Sequence, residues 1–273
     1  MVGNAVMIVA QSLGFQVIGT SRRNNTDHYY LDLTWDLDKW PDLPDCDSLV
    51  ICASANKLED CQNDPVLSYA INVEGLEKVI KRYKSIQTKV LFFSSSHVFS
   101  GKKPLCREDE TLAPQNVLGK HKILGEEMVL RAGGLVVRVT KVVDLNFPRF
   151  NEWAHNLKNG KQVKAFSNLM TSLVPLNSLV KVIIAAIHGK WSGIIHVSGP
   201  EDRSYSDIAG MLARGLECSD RLVHPVLGET EVIGRTHTHT TLHISDRVRA
   251  LNLELPDTDT VIRRWCRNYM RTE

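Results

Sequence analysis

Val90-Leu91-Phe92-Phe93-Ser94-Ser95-Ser96-His97-Val98-Phe99-Ser100-Gly101 is the stretch on which the fold turns. Its first part is apolar without alternation, the pattern of a strand buried on both faces. It then gives way to hydroxyls and an imidazole. This predicts a buried strand over 90–94 whose C-terminal end delivers Ser95, Ser96 and His97 to an edge. Open α/β sheets bind their ligands along that edge.

The same grammar extends outward. Ser48-Leu49-Val50-Ile51-Cys52-Ala53 and Leu135-Val136-Val137-Arg138-Val139 read as further strands. Residues 65–84 read as a helix, with Leu67, Ala70, Val73, Leu76, Val79 and Ile80 on one side, and residues 117–132 as another. Upstream, a helix over 1–13 closes at Gly14. Short strands follow over 16–20 and 29–32. Strands alternating with helices predict parallel βαβ units. Downstream the pattern loosens, with helices near 149–158, 177–188, 204–216 and 257–269 and a strand over 193–198. The expected fold is α/β: a Rossmann-like, doubly wound parallel sheet in residues 1–145. A smaller C-terminal substrate lobe, 146–273, is partly interleaved with it across a cleft.

A chain of 273 residues can bury a sizeable core unaided. The net charge of +2 supplies no field that would favour nucleic acid or a membrane surface. No apolar run approaches the ~20 residues needed to cross a bilayer. The six cysteines are scattered without a C-x-x-C pair, so they are expected to be reduced. A cytoplasmic protein is the expectation.

After the serine strand come Pro114-Gln115-Asn116-Val117-Leu118-Gly119-Lys120-His121-Lys122 and Leu124-Gly125-Glu126-Glu127. With Ser95-Ser96-His97-Val98-Phe99, this resembles the extended short-chain dehydrogenases, and within them the dTDP-4-dehydrorhamnose reductase family. That family reads S-T-D-Y-V-F-D-G, then P-x-N-x-Y-G-x-x-K-x-x-G-E. Asn72-Val73-Glu74-Gly75 looks like the N-V-x-G opening the helix before the serine strand. Asn146-Phe147, Gly193-Ile194-Ile195-His196-Val197-Ser198-Gly199 and Ser204-Tyr205-Ser206-Asp207 extend the likeness over nearly the whole chain.

The resemblance implies hydride transfer from a nicotinamide to a sugar carbonyl, with a tyrosine giving the proton. A lysine lowers the tyrosine's pKa and holds the nicotinamide ribose, and a hydroxyl binds the carbonyl oxygen. Carried over by position, Ser95 is that hydroxyl and Lys122 that lysine. The tyrosine position holds Leu118, which has no proton to give. His97 is the candidate replacement acid, since its ordinary pKa suits the task. His121, beside Lys122, is expected on the surface.

The second departure lies at the start. The family opens with a strand and G-x-x-G-x-x-G, which cradles a pyrophosphate at a helix N-terminus. Here Gly3 matches only the last glycine, and the first strand is missing. That strand lies in the family between the strands ending here near Thr20 and Ala53. The expectation is that Met1 is an internal residue of a longer chain; a truly shortened form should bind dinucleotide poorly.

For the cofactor the resemblance implies Gly3, Ser21, Arg22, Arg23, Asp32, Leu33, Ala53, Ser54 and Lys122. Arg22 and Arg23 suit a 2′-phosphate, so NADP is expected rather than NAD. No metal is expected: His237 and His239 would share a face if extended, but no carboxylate or cysteine near them in sequence completes a set. The function expected is an NADP-dependent reductase of a nucleotide-linked 4-keto-sugar. The rival is a non-catalytic, NADP-binding regulatory subunit like that of methionine adenosyltransferase. The implied partners are a nucleotide-sugar, with a homodimer mate or a regulatory partner, and neither nucleic acid nor membrane.

Overall fold

The apolar run ending in serines is an interior strand of a four-stranded sheet, with Val90, Leu91 and Phe92 all buried. The structure is a computed structural model and describes residues 1–23, 28–84, 88–228 and 238–272. The first half runs α1 (Val2–Ser12), β1 (Thr20–Ser21), β2 (Tyr29–Tyr30), β3 (Ser48–Ile51), α2 (Leu58–Asn63) and α3 (Pro65–Tyr69). A π-helical turn (Ala70–Glu74), α4 (Gly75–Tyr83), β4 (Lys89–Ser95), α5 (Val117–Arg131) and β5 (Leu135–Val139) follow. Next come β6 (Lys141–Val143), α6 (Pro148–Lys158), β7 (Val163–Phe166), β8 (Met170–Thr171), β9 (Leu173–Pro175), α7 (Leu176–His188) and β10 (Gly193–Val197). The chain ends with β11 (Arg203–Ser204), α8 (Tyr205–Gly215), β12 (Val223–Val226), α9 (Asp246–Arg249) and α10 (Thr258–Thr272).

The main sheet has the order β10-β5-β4-β3. β3 and β4 are parallel, with Ser48 opposite Lys89 and Ile51 opposite Phe92. Leu76, Val79 and Tyr83 of α4 and Val129 of α5 pack with Ile51, Val90, Phe92 and Val136 of the strands. Val90 and Phe92 share a face because side chains alternate along a strand. Each such buried side chain contributes about 1.5–3 kcal/mol. The fold is the expected α/β, Rossmann-like one with a parallel sheet.

The chain forms two compact units and passes between them repeatedly. The first is 1–98, 116–138 and 180–195; the second is 99–115, 139–179 and 196–273. In the second, Phe150, Trp153 and Leu157 of α6 cluster with Ile208 and Leu212 of α8 and Ile262 and Trp265 of α10. Two parallel ladders, β6 with β9 and β7 with β12, belong to this half.

Three expectations change. The strand expected over 16–20 is paired only at Thr20–Ser21, with Tyr29–Tyr30, in a ladder of its own. β3 is an edge of the main sheet, stops at Ile51 and leaves Cys52 and Ala53 exposed. Among the described residues no strand fills the position between β1 and β3. The reason is mechanical: a strand without neighbours has no ladder to extend, and Ile18 is 44% exposed. The helix expected over 65–84 is divided by the π turn, so Asn72 lies inside a continuous helical stretch rather than opening one. All six cysteines are unpaired. No helix among the described residues is long and apolar enough to cross a membrane.

Gly125 lets α5 lie close on β4. A Cβ there would stand 2.7 Å from Phe92 Cζ and 3.0 Å from Leu76 Cδ2, both in the core. Gly125→Ala should therefore destabilise the fold by about 1–3 kcal/mol, as overpacking does, read as a lower urea midpoint with unchanged slope.

Candidate functional site

The site grows from the end of β4. α5 starts at Asn116, whose side chain accepts the Gly119 N–H at 2.8 Å and so caps the helix. The cap fixes the helix phase that sends Lys122 inward. Lys122 is only 6% exposed. Its ammonium donates to the Phe93 carbonyl oxygen at 2.8 Å and to Ser54 Oγ at 3.2 Å. It also lies 4.7 Å from the centre of the Phe92 ring, where the π face attracts a cation. Burial pushes the Lys122 pKa down to about 8, although the Glu126 carboxylate works in the opposite direction.

Ser54 has its own fastening. Its hydroxyl donates to Asn72 Oδ1 at 2.9 Å. Asn72 Oδ1 also accepts the Ala55 N–H, and Asn72 Nδ2 donates to the Ala55 carbonyl oxygen, both at 2.8 Å. Asn72 sits in the π turn and is buried. Such turns concentrate at functional positions. This one aims an amide at the loop beyond β3.

Two residues past Phe93, Ser95 Oγ accepts the His97 N–H at 3.2 Å, which turns the chain out of the strand. The His97 ring, half-buried, meets Asn116 through Nδ1 and Nδ2 at 3.2 Å. One amide thus caps α5 and orients the imidazole. Lys122 and Ser95 accordingly belong to the same end of β4, with His97 following.

Leu118, at the position where the resemblance implies tyrosine, is 4% exposed and one helical turn before Lys122. His121 corrects the expectation of a surface residue: it is buried, edge-on to Tyr69 with centroids 5.6 Å apart. Burial, then the Lys122 charge, lowers its pKa.

The cofactor candidates divide. Gly3 lies in the first turn of α1, where a Cβ would reach only ordinary contact with Cys52 at 3.5 Å. Among the described residues no side chain hydrogen-bonds the start of that helix. Ser21 Oγ accepts the Arg23 N–H at 3.0 Å, and Arg22 and Arg23 are exposed beyond β1. Asp32 Oδ1 accepts both the N–H and the hydroxyl of Thr34, at 2.9 and 2.8 Å. Burial pushes its carboxyl up, but these bonds and the Arg22 charge together hold it below its ordinary value. Leu33 is packed in the core against Gly75 rather than open to a ligand. Ala53 is exposed just past β3.

Of the two histidines weighed as a metal pair, His237 lies outside the described residues. His239, in the second unit, holds Asp202 Oδ2 through Nδ1 at 3.0 Å. Asp202 Oδ1 accepts the N–H groups of Thr240 and Thr241.

Sequence reasoning missed two residues. Asn72 was visible as part of N-V-x-G, but nothing local marks a π turn. Glu126 was visible after Lys122, and the signal was its spacing of four residues on the same helix.

The class is therefore a Rossmann-like α/β protein with a lysine and a serine at the C-terminal end of β4. Residues 1–258 match the family model described as the RmlD substrate binding domain, and the chain belongs to that family. It is 31% identical over 93 residues to methionine adenosyltransferase 2 subunit beta of Pongo abelii, a match covering 33% of this chain and 28% of that protein. In this match the chain spans little more than a quarter of that relative. The fold superposes on dTDP-4-dehydrorhamnose reductase of Yersinia enterocolitica with a TM-score of 0.84 at 21% identity, covering 98% of this chain and 96% of that one. The same enzyme of Bacillus anthracis str. Ames, in complex with NADP, gives a TM-score of 0.71 at 20% identity over 83% and 81%.

The buried lysine carries a pH signature. Its folded pKa of about 8 lies below the ordinary 10.5, so the unfolded chain binds more protons between those values. Stability from this group should therefore rise as pH increases from about 8 to about 10.5. In Lys122→Met that rise should vanish, as read by urea midpoints measured across the window.

Proposed function

We propose that this chain binds NADP and reduces the carbonyl of a nucleotide-linked 4-keto-sugar. The observation that carries the reading is the Lys122 ammonium on the Phe93 carbonyl, two residues before Ser95, with His97 just beyond. Membership of the RmlD family supports the substrate class. The NADP in the Bacillus anthracis reductase supports the cofactor.

The residues present fit that cofactor. The first turn of α1, at Gly3, would offer N–H groups to a pyrophosphate. Arg22 and Arg23 offer two cations to a 2′-phosphate. Ser54 and Ala53, just past β3, would line the cofactor's path, Asp32 would meet its adenosine, and Lys122 would hold the nicotinamide ribose. The bound cofactor supplies the hydride. Ser95 hydrogen-bonds the carbonyl oxygen through the hydroxyl proton that its bond with His97 leaves over. His97 hands a proton to that oxygen as the carbon is reduced, so a ketone becomes an alcohol. The Asn116 amide keeps the ring oriented for it.

A second reading is favoured by two observations. Leu118 is buried at the position of the proton donor implied by the resemblance, and the chain is similar over 93 residues to methionine adenosyltransferase 2 subunit beta. On this reading the chain binds NADP and regulates a partner without turnover.

Calorimetric titration should give tighter binding of NADPH than of NADH, and Arg22→Ala with Arg23→Ala should erase the difference. Equal affinities in the unaltered chain would remove the NADP assignment.

Purified chain given dTDP-4-dehydrorhamnose should consume NADPH. His97→Ala should lower kcat by about 10²-fold or more, the usual contribution of a positioned acid. NADPH binding without consumption favours the regulatory reading.

A further inference from the structure

Beneath Lys122 lies a charged group that the proposed chemistry does not use. Glu126 follows Lys122 by one turn on α5, so the two side chains share a face. Its carboxylate Oε1 accepts the Ser94 hydroxyl and Arg138 Nε, the latter at 2.9 Å, while Oε2 accepts Arg138 Nη2 at 2.7 Å. Ser94, Glu126 and Arg138 are each 2% exposed. They come from β4, α5 and β5, so one carboxylate joins three elements.

A buried ion pair is poorly explained as a source of stability. Removing both charges from water costs as much as their attraction returns, and apolar residues of like volume often serve better. What such a pair supplies here is register. Ser94 stands between Phe93, whose carbonyl holds the Lys122 ammonium, and Ser95. Side chains alternate along a strand, so fixing Ser94 toward α5 turns Ser95 to the opposite face.

We propose that Glu126 is a positioning residue for Lys122: clamped by Arg138, it locks the end of β4 to α5 and so holds the Lys122 ammonium on the Phe93 carbonyl. Its negative charge also supports the lysine's positive one. Burial favours the neutral amine; negative charge on Cys61 of α2, then on Glu126, then on Cys52 beyond β3 opposes that, and because burial pushes both thiols above their ordinary values, Glu126 is the one of the three that is charged where the lysine titrates. His121, the neighbour on α5, is itself pushed toward its neutral form and adds no opposing charge when neutral. The significance for catalysis rests on the role proposed above for Lys122; the test does not.

Full-length protein carrying lysine labelled with ¹³C at Cε reports the Lys122 titration directly, its resonance assigned by its loss in Lys122→Met. In Glu126→Gln the midpoint should fall by about one unit, a tenfold change in the ammonium-to-amine ratio. Glu126→Asp, which keeps the charge, should restore most of it. If Glu126→Gln does not fold, Glu126→Gln with Arg138→Met removes both buried charges together, and its midpoint should lie below that of Arg138→Met alone, from which it differs only in the carboxylate. An unchanged midpoint in a folded variant lacking the carboxylate overturns the proposal. Such a result leaves the reductase reading standing, whereas absent NADPH binding or consumption by the unaltered chain strikes that reading and leaves this one.

Discussion

A lysine taken out of water must find its hydrogen bonds in the protein, and the arrangement around β4 follows from that constraint. An ammonium buried without partners would shed its proton or unfold its surroundings. Here the Phe93 carbonyl, the Ser54 hydroxyl and the Phe92 ring receive it. Each receiver needs its own support. Phe93 is held by the ladder and by the Ser94 clamp, and Ser54 is held by Asn72. Asn72 can reach the loop because the helix carrying it relaxes into a π turn. A local irregularity in one element thus serves a charge on another.

The same constraint bears on Leu118. A residue one turn before Lys122 shares its face of the helix, and a phenol there would have a cation to favour its ionised form. Leucine contributes only packing, and its burial shows that the position has become part of the core. On the reading proposed above the proton comes from His97, which follows the strand end rather than lying on the helix. Its imidazole is tied to Asn116, the residue that caps α5. Proton donor and lysine would then be positioned by a single helix start, although they are no longer neighbours along one helix.

What could be read from sequence depended on whether the signal was local. The continuous apolar run 90–93 and the helix beginning at Val117 were legible because burial on both faces and helical periodicity leave marks in nearby residues. The hydroxyls at the strand end followed from the same run. The π turn was not legible: its residues Ala70–Glu74 carry ordinary helical periodicity, and only the reach of Asn72 to Ala55 distinguishes them. His121 was misread because a polar residue beside a lysine resembles a solvated face, whereas α3 brings Tyr69 over it. The partner of His239, Asp202, is distant in sequence, so no spacing rule connects them. Leu33 was read as a ligand contact; that it is buried beside Gly75 no spacing in the sequence marks.

The C-terminal edge of the sheet has, among the described residues, two parts of different completeness. The part built on β4 and α5 is closed: Lys122, Ser54, Asn72 and Asn116 all have partners, and the clamp beneath them is satisfied. The part built on α1, β1 and β3 is open. β1 pairs only with β2, and β3 is a sheet edge. A bound dinucleotide would draw on both, the phosphates on the open part and the nicotinamide ribose on the closed one. On the reading proposed above, changes at Gly3, Arg22 or Arg23 would act on affinity through charge and backbone access, while changes at Glu126 or Asn72 would act on geometry around one lysine. An interaction that holds the reacting groups equally well with or without its distant phosphates is one whose loss appears in turnover before it appears in binding.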